Sequence, residues 1–84
     1  MPRFFFHINR AGHLVPDPDG EVLNSLASAQ REAEAVARDL MAERLRSGLS
    51  LGLGWEVLIS TEDGRIASTV SFSSAVPPDG DDLM

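Results

Sequence analysis

The stretch Trp55-Glu56-Val57-Leu58-Ile59-Ser60-Thr61-Glu62-Asp63-Gly64-Arg65-Ile66-Ala67-Ser68-Thr69-Val70-Ser71-Phe72 decides the fold. Its first six residues alternate. Trp55, Val57 and Ile59 fall on one face, and Glu56, Leu58 and Ser60 on the other, the pattern of a half-buried strand. Asp63-Gly64 is a strong hairpin signal, because a two-residue type I′ loop needs positive φ at both central positions. That loop pairs Glu62 with Arg65. It also sets Ile59 opposite Ser68, Val57 opposite Val70 and Trp55 opposite Phe72. A slip of one residue would oppose the apolar set to Ala67, Thr69 and Ser71, so face matching predicts the two-residue loop. The returning strand is expected over residues 65–72.

Upstream of this hairpin the spacing changes from two to 3.6. Leu26, Ala29, Ala33, Val36, Ala37, Leu40 and Met41 form one apolar stripe, which predicts a helix over 26–47. Arg31, Glu32, Glu34, Arg38, Asp39, Glu43 and Arg46 fall outside it, and Glu34 and Arg38 form a favourable i,i+4 pair. Ser25 is the expected N-cap, without the glutamate or glutamine at residue 28 that would complete a capping box. Gly48 suits the C′ position. Arg44 breaks the stripe, and its stem is expected on the core with its head in water. The connector Leu49-Ser50-Leu51-Gly52-Leu53-Gly54 has two readings. Its leucines either fold under the helix end or form an exposed apolar patch of the kind that marks association surfaces.

At the start of the chain, residues 3–9 read as a strand, with Phe4, Phe6 and Ile8 on one side and Phe5, His7 and Asn9 on the other. Gly12 marks a turn. A three-residue loop would pair Asn9 with His13 and Ile8 with Leu14; a two-residue loop would pair Ile8 with Val15. The sequence leaves both open. A short strand over 13–16 ends at Pro16-Asp17-Pro18-Asp19-Gly20, and Glu21 to Asn24 is a connector or a short extension of the sheet. The order ββαββ predicts an α+β, two-layer domain over residues 1–76, an antiparallel four-stranded sheet with one long helix packed on one face. The covered face would carry Phe4, Phe6, Ile8, Trp55, Val57, Val70 and Phe72. The reverse face would carry Phe5, His7, Leu58, Ala67 and Thr69 and be semi-apolar. Residues 77–84 read as a flexible acidic tail.

Several features combine into a resemblance. They are the opening Met1-Pro2-Arg3-Phe4-Phe5-Phe6, the first turn with Gly12, Asp17-Pro18-Asp19-Gly20-Glu21, the Ala/Arg/Glu helix from Ala29 to Arg46, and Glu62-Asp63-Gly64-Arg65 ahead of a strand ending in Phe72. Together they resemble a family of short uncharacterised bacterial proteins, frequent in alphaproteobacteria, that carries a domain of unknown function. The resemblance covers about residues 1–75 and implies a small standalone ββαββ protein. It implies no activity, cofactor or catalytic residue. The leucine-rich connector and the acidic tail depart from the family pattern.

Composition narrows the function classes. The 84 residues are 43% hydrophobic and 24% charged, ordinary globular values. Thirteen acids stand against seven basic residues, all arginine, for a net charge of −6, with Asp79, Asp81 and Asp82 near the end. Scattered arginines interleaved with glutamates lack the basic footprint of a nucleic-acid binder. Without cysteine there is no disulfide and no thiolate metal site. The apolar run Phe4 to Ile8 is too short for a signal-peptide core, and no run has membrane-spanning length, so a cytoplasmic protein without a membrane partner is expected. A domain this small without covalent staples gains buried area by oligomerising, so a homodimer is expected.

Chemical motifs are sparse. In the three-residue-loop register His7 and His13 lie diagonally on one sheet face, where they are candidate metal ligands with a carboxylate as third; otherwise they are ordinary hairpin histidines. The Asp17–Glu21 turn resembles part of a calcium loop, but no register places both its glycine and its ligands. Gly48, Gly52 and Gly54 follow a helix, the reverse of a phosphate loop. Ser60, Ser68, Ser71, Ser73 and Ser74 lie in no nucleophile elbow, and Glu32 and Glu34 do not face each other on the helix. The expectation is therefore no enzyme, no cofactor and no specific small-molecule ligand. A protein-interaction or regulatory module is expected, pairing with itself or another protein through Phe5, Leu49, Leu51, Leu53 and Leu58. The alternative is a small metal- or ligand-responsive regulator using His7, His13 and the Asp17–Glu21 turn.

Overall fold

The computed structural model describes residues 1–76; the expected acidic tail at 77–84 lies outside them. The elements are β1 (Arg3–Arg10), β2 (His13–Val15), β3 (Glu21–Val22), α1 (Leu26–Arg46), β4 (Glu56–Ser60), β5 (Ile66–Ser71) and a 3₁₀ turn over Phe72–Ala75. All strand pairs are antiparallel, in the order β2-β1-β4-β5. The fold is α+β as expected, with a fifth strand where Glu21–Val22 extends the sheet. The two-residue β3 pairs Arg3 and Phe4 of β1, along the same edge as β2.

The helix begins and ends where its caps dictate. Ser25 Oγ accepts from the Ser28 amide at 3.1 Å. At the other end the Leu49 amide donates to Arg44 O at 2.8 Å and the Gly48 amide to Leu45 O at 3.1 Å, the paired bonds of a Schellman motif. Ala29, Ala33 and Ala37 are fully buried at i,i+4 spacing, with Met41 next along the stripe. Side chains this small let α1 lie close on Val57, Ile59, Val70 and Phe72. The helix packs over β4, β5 and the 3₁₀ turn. It leaves the helix side of the β1–β2 hairpin beside a groove.

The first hairpin takes the shorter of its two open readings, and the second takes a longer loop than expected. The first has the two-residue loop, since Ile8 faces Val15 and Arg10 faces His13. Its central residues Ala11 and Gly12 have φ of 55° and 94°, a type I′ turn with an alanine in the left-handed region. That conformation costs a non-glycine residue about 1 kcal/mol, partly offset by the Gly12 amide donating to Asn9 Oδ1 at 2.9 Å. The second hairpin corrects the Asp63-Gly64 type I′ reading. Neither Glu62 nor Asp63 has positive φ. The Gly64 amide donates to Thr61 O, and the Thr61 amide to Arg65 O, so the loop holds three residues. The expected core pairs Val57–Val70 and Ile59–Ser68 nevertheless form, because a bulge follows Ile59: Ser60 pairs with Ile66 and Ala67 is left over. One extra residue at the tip and one in the bulge cancel.

Candidate functional site

The Pro16–Gly20 loop leaves the edge of β1 between β2 and β3 and is tied back onto it. Asp17 makes the ties. Its Oδ2 accepts from the Phe6 amide at 3.1 Å, and its Oδ1 from the amides of Asp19 at 3.1 Å and Gly20 at 3.2 Å. Burial pushes the Asp17 carboxyl up, but the backbone donors Phe6, Gly20 and Asp19 outweigh it and hold the group below its ordinary value. Gly20 is needed there: φ is +69°, and a Cβ would stand 2.8 Å from Phe4 O and 2.9 Å from the Phe5 ring.

The Asp17 amide also donates to His7 Nδ1 at 2.9 Å, which puts the ring proton on Nε2, 3.0 Å from Ser60 Oγ. Ser60 is buried on the reverse face of the sheet, opposite Phe5. This Asp–His–Ser set is wired against nucleophilic catalysis. An activating histidine accepts from serine at Nε2 and donates to a carboxylate at Nδ1. Here Nε2 donates to Ser60 and Nδ1 accepts from an amide. The set works as a clasp holding the loop to the centre of the sheet.

The clasp predicts acid sensitivity. A carboxyl with lowered folded pKa stabilises the fold above its unfolded value, and that contribution is lost as pH falls through the folded value. Asp17→Asn turns an acceptor of amide bonds into a partial donor. It should cost about 1 kcal/mol at neutral pH, a figure discounted for partial solvation. Urea titrations of both proteins should show this gap narrowing as the pH drops below the ordinary carboxyl value of 3.8. A gap independent of pH would show that the carboxylate charge does not hold the loop.

The reverse face of the sheet carries three cross-strand rows. Phe5, Ser60 and Ile66 form one; His7, Leu58 and Thr69 the next; Leu14, Asn9, Glu56 and Ser71 the third. Phe5 and His7 stack with rings 8° from parallel, and Asn9 Nδ2 donates to Glu56 Oε1 at 3.2 Å. Phe5 and Leu58 lie on this face as the alternation requires. Ala67, expected there, is replaced by Ile66, because the bulge turns the isoleucine toward Ser60. Ile66 is 48% exposed and Leu14 49%.

The remaining sequence candidates separate. The tight first hairpin puts His13 beside Arg10 on the helix side, opposite to His7, so the diagonal histidine pair does not form. Among the described residues no three His, Cys, Asp or Glu side chains gather as a metal site. In the connector, Leu51 packs against the core while Leu49 and Leu53 remain exposed. The connector wraps Trp55: the Trp55 amide donates to Gly52 O at 2.9 Å, and Gly52 presses on the indole. Arg10 and Arg44 both place guanidinium carbons over that ring, at 4.5 and 4.4 Å from its centroid.

On the helix side, two clefts share Ile8 and Val15 along the groove between α1 and the first hairpin. One, of about 360 Å³, runs past Pro16 and Asp17 to Glu21 and Glu32. Burial and the neighbouring Glu21 push the Glu32 carboxyl up. The other, of about 290 Å³, ends at Trp55 and its two arginines. Arg44 was legible as a snorkelling residue, but no signal in the sequence pairs it with Arg10.

Among the described residues no helix is long and apolar enough to cross a membrane. A family model described as Domain of unknown function (DUF6894) matches residues 3–73. No curated protein and no solved structure matches the chain.

Proposed function

Because the chain belongs to the DUF6894 family, a domain of unknown function, its own surfaces have to carry the functional reading, and we propose that it is a non-enzymatic interaction module that pairs with a second copy of itself through the reverse face of the sheet. The observation that carries this reading is the bulge at Ala67, which turns Ile66 onto the same face as Phe5, Leu58 and Leu14. Bulges re-aim side chains, and here an isoleucine is aimed at a face that α1 does not cover. Charge supports a second copy as the occupant. The chain carries −6, yet the one carboxylate on these rows is Glu56, and it is hydrogen-bonded to Asn9. Two acidic copies meet there with the least repulsion. The metal-responsive alternative draws no support from histidines on opposite faces.

Sedimentation velocity tests the pairing. The protein should sediment at twice its 9.1 kDa chain mass. Ile66→Lys and Leu58→Glu should each give monomers with unchanged helical circular dichroism, since both side chains stand off the helix-side core. A wild-type monomer at concentrations well above micromolar, or dimers that persist in both variants, would sink this reading.

A further inference from the structure

We propose that the cleft beside Trp55 binds a small amphiphilic carboxylate, an acyl or aromatic acid. Its apolar body would lie against Ile8, Val15 and Leu40, and its head group would meet Arg10 and Arg44. This site is on the helix side of the sheet and is independent of the pairing face.

The cleft's volume of about 290 Å³ falls just below the lower end for small-molecule sites, which run roughly 300–1,000 Å³. Its walls are aliphatic from β1, β2 and α1, and its mouth is cationic. Two guanidinium groups share one indole ring. Like charges so placed repel, and among the described residues the ion pair present is Arg46 with Glu43, at 3.0 Å, not one with Arg10 or Arg44. A bound anion relieves that repulsion. A guanidinium lying over an aromatic ring keeps its edge N–H groups available, and their fork matches a carboxylate.

The arginines are not equivalent. Arg44 is held in place, donating from Nε to Ser50 O and from its terminal nitrogen to Ser50 Oγ. Arg10 makes no hydrogen bond to a described residue through its side chain and reaches the ring from the exposed end of β1. Arg44 is thus preorganised, and Arg10 is the arm that adapts. The last carbonyls of α1 do not oppose an anion, since Arg44 O and Leu45 O already accept from Leu49 and Gly48. Glu43 also lines the cleft, and the chain is acidic overall, which favours a singly charged head over a phosphate dianion.

Trp55 is the sole tryptophan and there is no tyrosine, so intrinsic emission reports directly on this site. Decanoate and its uncharged counterpart decanol, both below micelle-forming concentrations, are the probes. Decanoate should shift the emission saturably and move the nuclear magnetic resonance signals of Val15 and Leu40. Decanol should bind at least tenfold more weakly. Arg10→Gln, at an exposed position, should bring decanoate down to the level of decanol. Equal binding of the two probes, an Arg10→Gln variant with undiminished decanoate affinity, signal changes centred on Phe5 and Leu58 instead, or no saturable response would each overturn the proposal.

Discussion

Phe72→Ala should remove about 3–5 kcal/mol of stability, the range for truncating a buried aromatic residue. Phe72 is fully buried at the point where β5 gives way to the 3₁₀ turn. It meets Trp55 edge-on, with ring centroids 5.8 Å apart at 64°, and packs in the same cluster as Ala33 and Ala37. Its amide donates to Trp55 O at 2.9 Å, a bond alanine keeps, so the loss isolates the ring. A domain of this size holds roughly 4–12 kcal/mol in all, so the change takes a large share. The thermal midpoint should fall by at least about 12 °C. Phe72→Leu, which keeps most of the volume, should cost less than half as much. If alanine and leucine behave alike, the ring is not the keystone between helix and sheet that its burial implies.

Ala33→Leu should cost about 3 kcal/mol for the opposite reason, overpacking. Ala33 is fully buried between two equally buried alanines one turn away on either side. A leucine there has no room unless α1 lifts from β4 and β5 or slides along them. Ala42→Leu is the control, because Ala42 is exposed on the same helix and both residues are strong helix formers. Urea unfolding should show the control within about 0.5 kcal/mol of wild type. Equal losses at both positions would mean that helix propensity, not contact distance, sets the cost.

Those alanines were legible in the sequence, as were Ser25, Gly48 and the pairs Val57–Val70 and Ile59–Ser68. Each rests on a local rule, a cap or a repeat, or on matching two apolar faces. The bulge at Ala67 escaped because it alters the loop without altering the core register; the face-matching argument accepts either arrangement. The type I′ turn at Ala11-Gly12 stayed one of two open readings because alanine carries no preference for positive φ. At the candidate site, Phe5 and Leu58 followed from alternation alone, whereas Ile66 needed the bulge. The clasp was invisible for a different reason. A Pro-Asp-Gly cluster reads as a turn whether its carboxylate caps its own backbone or a neighbouring strand, and Asp17 does both. Only the folded chain brings residues 7, 17 and 60 together.

The pairing of β1 with β4 has a kinetic consequence. Both hairpins and α1 can form from near neighbours within microseconds. The two central strands cannot, since Phe5 must find Ser60 and Asn9 must find Glu56 across most of the chain. That loop-closure entropy falls due before the core rewards it, so the rate-limiting ensemble should contain α1 and the β4–β5 hairpin awaiting the N-terminal strand. Nascent chains would then wait until β4 has left the ribosome before the first strand, with its three consecutive phenylalanines, finds cover.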